Sequence, residues 1–272
     1  MCFCFVKMHG AGNDFVLVDD RDGSFPCDQR ILAAIGSRGT GVGCEGIILV
    51  QRSERVDFRM RFFNPDGSEA ELCGNGARCV AAFAREIGAA KADKMRFETL
   101  AGDVGAEIVG AGCVRVEMPE PKDLRSNFVN SGVPHRIVPV ENLEKADVEG
   151  EGRRIRYSEE FAPEGTNVDF VIYHAPNRVD IRTYERGVEA ETGACGTGSV
   201  AAALVGVAQY GLEFPVAVRT AKGFELVING EFDGKVFHSV TLTGPVARVF
   251  TGEIDLASLD FRSESGHNIE KL

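Results

Sequence analysis

Two segments, Cys73-Gly74-Asn75-Gly76-Ala77-Arg78 and Cys195-Gly196-Thr197-Gly198-Ser199, repeat the pattern Cys-Gly-x-Gly at the head of an apolar, alanine-rich stretch. They lie 122 positions apart, and the likeness extends to both sides. Alternating runs precede them, Phe58-Arg59-Met60-Arg61-Phe62-Phe63-Asn64 and Val179-Asp180-Ile181-Arg182-Thr183-Tyr184-Glu185, each reading as a strand that ends on a polar residue. After them come Phe97-Glu98-Thr99-Leu100-Ala101-Gly102 and Val218-Arg219-Thr220-Ala221-Lys222-Gly223, again leading into alternating runs. The period is far too long for a solenoid repeat, so the pattern predicts duplication of a whole domain.

The spacing predicts helices over Ala77–Ile87 and Ser199–Tyr210. Both are apolar nearly all round, and such a helix belongs in an interior. The expected fold class is therefore α/β of the α+β kind: two pseudo-symmetric domains, each a mostly antiparallel sheet or barrel around a central helix. Turn residues at Asn64-Pro65-Asp66-Gly67, Val109-Gly110-Ala111-Gly112 and Asn229-Gly230 predict hairpins. The expected crossing between halves is Met118-Pro119-Glu120-Pro121, dividing the chain into residues 1–118 and 119–251. A tail over 252–272 is expected to return to the first half, with fraying in the polar stretch after Phe261. The charged segment from Val140 to Arg156 is expected to hold a surface helix.

At 272 residues, 44% of them hydrophobic, the chain can bury cores for two such domains. A formal net charge of −11 argues against a nucleic-acid partner, which would need clustered Lys and Arg. No apolar run approaches a membrane span, and Met1-Cys2-Phe3-Cys4-Phe5-Val6-Lys7 reads as a first strand, not a signal peptide, so a cytoplasmic protein is expected. Eight cysteines are too few to scaffold a chain of this size and are read as thiols. Cys2 and Cys4 form at most half a zinc site, since a structural site needs four convergent ligands.

A helix N-terminus carries partial positive charge and free N–H groups, so it is expected to lower a thiol's pKa from roughly 8.5 and to nest an anion beside it. Gly74 and Asn75, with Gly196 and Thr197, could together grip one carboxylate. Inverting an amino-acid α-carbon requires one group to remove the proton and a second to return it on the opposite face. A thiolate and a thiol in a pseudo-symmetric site meet that need, and Cys73 and Cys195 are the candidate pair. A single Cys-Gly-x-Gly would more simply be a buried turn; two in matched contexts favour chemistry. Glu185 and Arg186 offer an anion and a cation suited to a zwitterion. Asn13, Asn64 and Asn167 read by themselves as turn-forming amides, and His135 as a side chain able to tune a sulfur.

Taken together, His9-Gly10-Ala11-Gly12-Asn13-Asp14-Phe15, Phe63-Asn64-Pro65-Asp66-Gly67-Ser68, the two cysteine segments and Tyr184-Glu185-Arg186-Gly187 resemble the diaminopimelate epimerase family over nearly the whole chain. Proline racemases share the two-cysteine plan but are less similar around both motifs. The resemblance implies a homodimer that needs no cofactor and interconverts LL- and meso-diaminopimelate for lysine and cell-wall synthesis. It implies Cys73 as proton donor and Cys195 as acceptor from LL to meso. Gly74, Asn75, Gly196 and Thr197 would surround the reacting carboxylate, and Asn13, Asn64, Asn167, Glu185 and Arg186 would orient the remaining groups. His135 and Glu185 would lie near the sulfurs. Two positions depart from the family's pattern: Val133 stands where an Asn is usual before Pro-His, and Gly46 where some members carry Gln. The alternatives left open are another cofactor-independent racemase, acting on histidine or proline for instance, and an amino-acid-binding protein without chemistry.

Overall fold

The computed structural model describes residues 2–259. Met1 of the expected first strand and residues 260–272 of the expected returning tail, with the stretch after Phe261, lie outside the described residues. The first half contains β1 (Cys2–Gly10), β2 (Asn13–Asp19), α1 (Gln29–Gly36), β3 (Gly46–Gln51), β4 (Phe58–Phe63), β5 (Glu69–Ala70), α2 (Gly74–Glu86), β6 (Lys94–Thr99), β7 (Gly102–Gly110) and β8 (Cys113–Glu117). The second contains β9 (Lys122–Arg125), β10 (Phe128–Asn130), β11 (Pro134–Pro139), α3 (Val148–Arg156), β12 (Asn167–His174), β13 (Arg178–Glu185), β14 (Ala190–Thr192), α4 (Gly196–Gln209), β15 (Val216–Arg219), β16 (Glu225–Phe232) and β17 (Phe237–Asp255).

The duplication is repeated strand by strand. In the first half β2 runs parallel to β3, β3 antiparallel to β4, β4 parallel to β6, and β6, β7 and β8 follow antiparallel. The second half gives the same sequence of senses through β11, β12, β13, β15, β16 and β17. Register matches too: Ile47 faces Phe63 in one half, Val168 faces Tyr184 in the other.

Strand β17 belongs to both halves. Its residues Phe237–Thr243 pair with β16, Thr241–Pro245 with β8, and Val246–Asp255 with β1. The last two pairings close the first half into an eight-stranded barrel of β1, β2, β3, β4, β6, β7, β8 and β17. A closed barrel leaves no unpaired edge among its members.

Helix α2 fills this barrel and α4 fills the corresponding curve of the second sheet. Ala77, Cys79, Val80, Ala81 and Ala84 are fully buried in α2, as are Ala201, Ala202, Ala203, Leu204 and Val205 in α4. Small side chains let strands approach the helix axis on every side; truncating a core residue such as Leu204 to Ala would cost about 2–5 kcal/mol. Both helices begin three residues before the predicted starts, directly after their cysteines. The surface helix expected between Val140 and Arg156 is α3, capped by Asp147 accepting from the Gly150 amide.

One predicted turn is corrected. Asn229-Gly230 is no hairpin but lies inside β16, where the pairing with β17 slips between Asn229 and Glu231. A Gly-containing bulge and a Gly-containing turn look alike in sequence, and only the partner strand distinguishes them.

Candidate active site

Cys73 and Cys195 are the N-cap residues of α2 and α4, both with extended backbones, φ −125° and −107°. The two helices meet head to head. A methyl group on Gly196 would lie 3.8 Å from the Gly74 Cα and 3.6 Å from Asn75 Oδ1, and Leu242 of β17 underlies both glycines at 3.5 and 3.4 Å. Across this seam Asn75 donates its side-chain amide to the carbonyl of Ala194, at 3.2 Å. The twin domains thus bring two N-termini, each headed by a sulfur, to one place.

A hydrogen-bonded chain supports Cys195. Fully buried Asp169 accepts from Thr183 Oγ1 at 2.7 Å and lies 2.7 Å from His135 Nδ1. His135 Nε2 is 2.9 Å from Thr197 Oγ1, which is 3.4 Å from Cys195 Sγ; the Gly198 amide donates to the same sulfur at 3.4 Å. His135 is therefore joined to one sulfur through Thr197, whose carbonyl is fixed by Ser131 Oγ at 2.9 Å.

The expected lowering of both thiols is corrected. Burial pushes Cys73 up, and the Glu185 carboxylate adds to this, while the amides of Gly76 and Asn75 and the Arg78 charge pull the other way. Burial pushes Cys195 well above the ordinary thiol range, with Glu185 and Asp169 reinforcing it against Thr197 and Gly198. Desolvation of a buried anion outweighs the helix ends. Glu185 acts electrostatically on both sulfurs; its own carboxyl is raised by burial, despite the 2.7 Å hydrogen bond it accepts from Thr192.

The remaining predicted residues divide by what their side chains already do. Asn167 is spent on backbone, donating to the Pro134 carbonyl at 3.0 Å and accepting from the Arg186 amide at 2.8 Å, so it fixes the strand carrying His135. Asn64 closes its turn onto Ser68 through both backbone and side chain. Arg186 is half-buried with no carboxylate on its guanidinium among the described residues, and Asn13 holds a buried Oδ1 without a hydrogen-bond partner. These two are the unspent groups, one cation and one acceptor. The loop before Asn13 is covered from the other half by Lys222, whose Nζ donates to the Gly12 carbonyl at 3.1 Å.

Of the two departures from the family's pattern, Gly46 is set by packing: a Cβ there would fall 2.4 Å from the Phe62 ring. Val133 is half-buried ahead of Pro134 and His135. Cys2 and Cys4 are exposed on β1, and no group of three or more His, Cys, Asp or Glu able to hold a metal ion occurs among the described residues. None of the described helices is long and apolar enough to cross a membrane.

Sequence reasoning missed Asp169 and Arg78. Each is a charged residue inside an apolar run, Val168-Asp169-Phe170-Val171 and Ala77-Arg78-Cys79-Val80, and that interruption was the available signal.

The family model described as diaminopimelate epimerase matches residues 5–123 and again 127–249. The diaminopimelate epimerase of Aquifex aeolicus (strain VF5) is 43% identical over 288 aligned positions, covering 94% of this chain and 99% of that protein. That of Chlorobaculum tepidum (strain ATCC 49652 / DSM 12025 / NBRC 103806 / TLS) is 41% identical over 263, covering 92% and 100%. Among solved structures, a Bacillus anthracis phenazine biosynthesis protein of the PhzF family superposes with a TM-score of 0.71 at 18% identity, covering 93% of this chain and 99% of that one. At that identity the likeness is one of fold.

Proposed function

The chain belongs to the diaminopimelate epimerase family, and from that membership we propose that it inverts one α-carbon of 2,6-diaminopimelate, interconverting the LL and meso isomers in lysine and peptidoglycan precursor synthesis. The observation that carries the proposal is the head-to-head meeting of α2 and α4 with a cysteine at each cap. The substrate's α-carboxylate sits over the seam, against the amides following Gly74 and Gly196, where two helix ends stabilise charge that moves onto it. One sulfur, as thiolate, takes the α-proton and becomes a thiol. The other thiol gives its proton to the opposite face and becomes the thiolate. From LL to meso, Cys195 is the acceptor and Cys73 the donor.

Asn13 Oδ1 receives the ammonium, and Arg186 the distal carboxylate. Asn64 and Asn167 shape the walls, Asn75 ties the two halves, and Glu185 and His135 govern the protonation of the sulfurs. No cofactor takes part. The protein works as a cytoplasmic homodimer, with residues 1–118 and 119–251 as its halves and the chain from 252 rejoining the first; the pairing of Val246 with Gly10 favours a somewhat earlier return.

The test is incorporation of solvent deuterium at the α-carbon of LL-diaminopimelate, with proline, histidine and lysine run alongside. Exchange on diaminopimelate alone is the expected result. Exchange on another amino acid instead would assign a different racemase, and no exchange on any would leave a binding protein.

A further inference from the structure

Arg78 is completely buried within α2, yet no carboxylate pairs with it among the described residues. Its guanidinium donates to the Gly74 carbonyl at 3.2 Å and to Asn75 Oδ1 at 2.7 Å, and its Nε has no partner. The slot is built for it: a Cβ on Gly244 would lie 3.1 Å from Nε, and one on Gly10 3.4 Å from Nη2. A guanidinium stays protonated in proteins, and a buried ion without a counter-charge is a standing cost to the fold.

Among the described residues, the groups acting electrostatically on Arg78 are thiols: Cys79, Cys73 and Cys113. Burial pushes the Cys79 thiol up to about 12 with no amide to oppose it, whereas at Cys73 the amides of Gly76 and Asn75 work against burial; Cys113 lies on β8, in neither cysteine loop. Cys73 remains. Comparison of the twin halves sharpens the point, because Val200 occupies the position of Arg78 in the second copy of the motif. The acidic groups are distributed the other way. The register that equates Ile47 with Val168 puts Ile48 opposite Asp169 in the duplication, and Asn64 opposite Glu185. Contacts agree: a Cβ on Gly76 would meet Ile48, and one on Gly198 would meet Asp169.

We infer that Arg78 is a positioning residue for charge: it makes Cys73 the more readily ionised sulfur of the pair, so that when the pair carries one negative charge it rests on Cys73 and the proton on Cys195. The inference rests on the two-thiol reading above and deepens it. Around Cys73 stand Arg78 and Cys79 from α2 and Glu185 from β13; around Cys195 stand Glu185, Asp169 and, through Thr197, His135. Glu185 bears on both sulfurs; Arg78 adds a cation at the first and Asp169 a second carboxylate at the other, so the duplicated site is electrostatically lopsided. The pair so charged is then poised for the isomer whose α-hydrogen faces Cys73, the meso isomer on the assignment given.

The experiment is alkylation of the full-length protein by iodoacetamide across a pH series, with Cys73 and Cys195 peptides quantified separately by mass spectrometry. The pH midpoint of each sulfur reports its thiolate and is separate from its accessibility. In the unmodified sequence the Cys73 midpoint is expected at least about one pH unit below that of Cys195, a tenfold preference for the charge. Arg78→Met is expected to raise the Cys73 midpoint, narrowing the gap, without moving that of Cys195, and Arg78→Lys to restore it. Equal midpoints, or a lower one at Cys195, would overturn the inference even if Arg78→Met fails to fold. So would an Arg78→Met protein that folds with the Cys73 midpoint unmoved. Failure of the functional reading is separate, since it shows as absent deuterium exchange whatever the midpoints are.

Discussion

Asn75, in the first turn of α2, donates its side-chain amide to the carbonyl of Ala194, the residue before Cys195, while its Oδ1 accepts from Arg78. One buried amide thus joins the two cysteine loops and anchors the buried cation. Asn75→Ala leaves a carbonyl and a guanidinium short of partners, and each such loss costs about 1–3 kcal/mol. Urea denaturation is expected to show that loss, and deuterium exchange a fall in turnover, because the helix ends are no longer tied. An unchanged midpoint would show the seam to be held by packing alone.

Thr197 links His135 to Cys195 and lowers that sulfur's pKa against burial. Thr197→Val keeps the shape and removes the hydroxyl. The Cys195 thiolate then loses a stabilising hydrogen bond, its pKa rises further, and exchange from the substrate isomer facing Cys195 moves to higher pH. Exchange from the other isomer should keep its ascending limb. Initial rates of α-hydrogen exchange for LL and meso substrate over a pH series would show whether the two limbs separate.

The glycines of the two loops are not equivalent. A Cβ at Gly198 would stand 2.5 Å from Asp169 Oδ1, whereas one at Gly74 meets only Leu242, at an ordinary 3.5 Å. Gly198→Ala is expected to displace Asp169 and with it His135, at about 1–3 kcal/mol of strain. Gly74→Ala should leave the fold stable. Thermal unfolding of the pair tests the contrast, and equal stability would refute it.

Cys79 and Cys44 give the fold an alkaline limit. Burial raises their thiols from 9.0 to about 12 and about 11. Above pH 9 the unfolded chain releases these protons while the folded one retains them, so stability falls as pH rises, by about 1.4 kcal/mol per pH unit for each thiol between its two pKa values. Below pH 9 neither contributes a slope. Removing one thiol in Cys79→Ala should flatten the alkaline limb of stability against pH, whatever the mutation does to stability at neutral pH.

Removing either sulfur should abolish inversion, since each supplies one of the two proton transfers, a contribution of at least about 10²-fold. Cys73→Ala and Cys195→Ala delete little volume and should keep the fold. Circular dichroism and deuterium exchange together check this, and full turnover by either variant would exclude a two-thiol mechanism.

The duplication was legible because both copies kept their strand, cysteine loop and apolar helix in order, and the periodicities of Phe58–Phe63 and Val179–Glu185 are local properties of the chain. What escaped the sequence depends on neighbours brought from afar. Asn229-Gly230 carries turn residues, yet β17 stretches them into a bulge. The thiols were expected to be acidified by their helix ends, whereas desolvation, which only the packed structure reveals, sets the sign. Asp169 interrupts the apolar run Val168-Asp169-Phe170-Val171, and nothing local shows what holds a charge there until His135 and Thr183 close over it.

Because β1 finds one of its two neighbours only in Val246–Asp255, the half encoded first is the last to be completed during synthesis. A ribosome emits the α2 region long before the stave that seals it, so the nascent first half must wait with an open flank while the second takes shape. Loss of Val246–Asp255 therefore strikes at the far end of the chain, opening the barrel along β1.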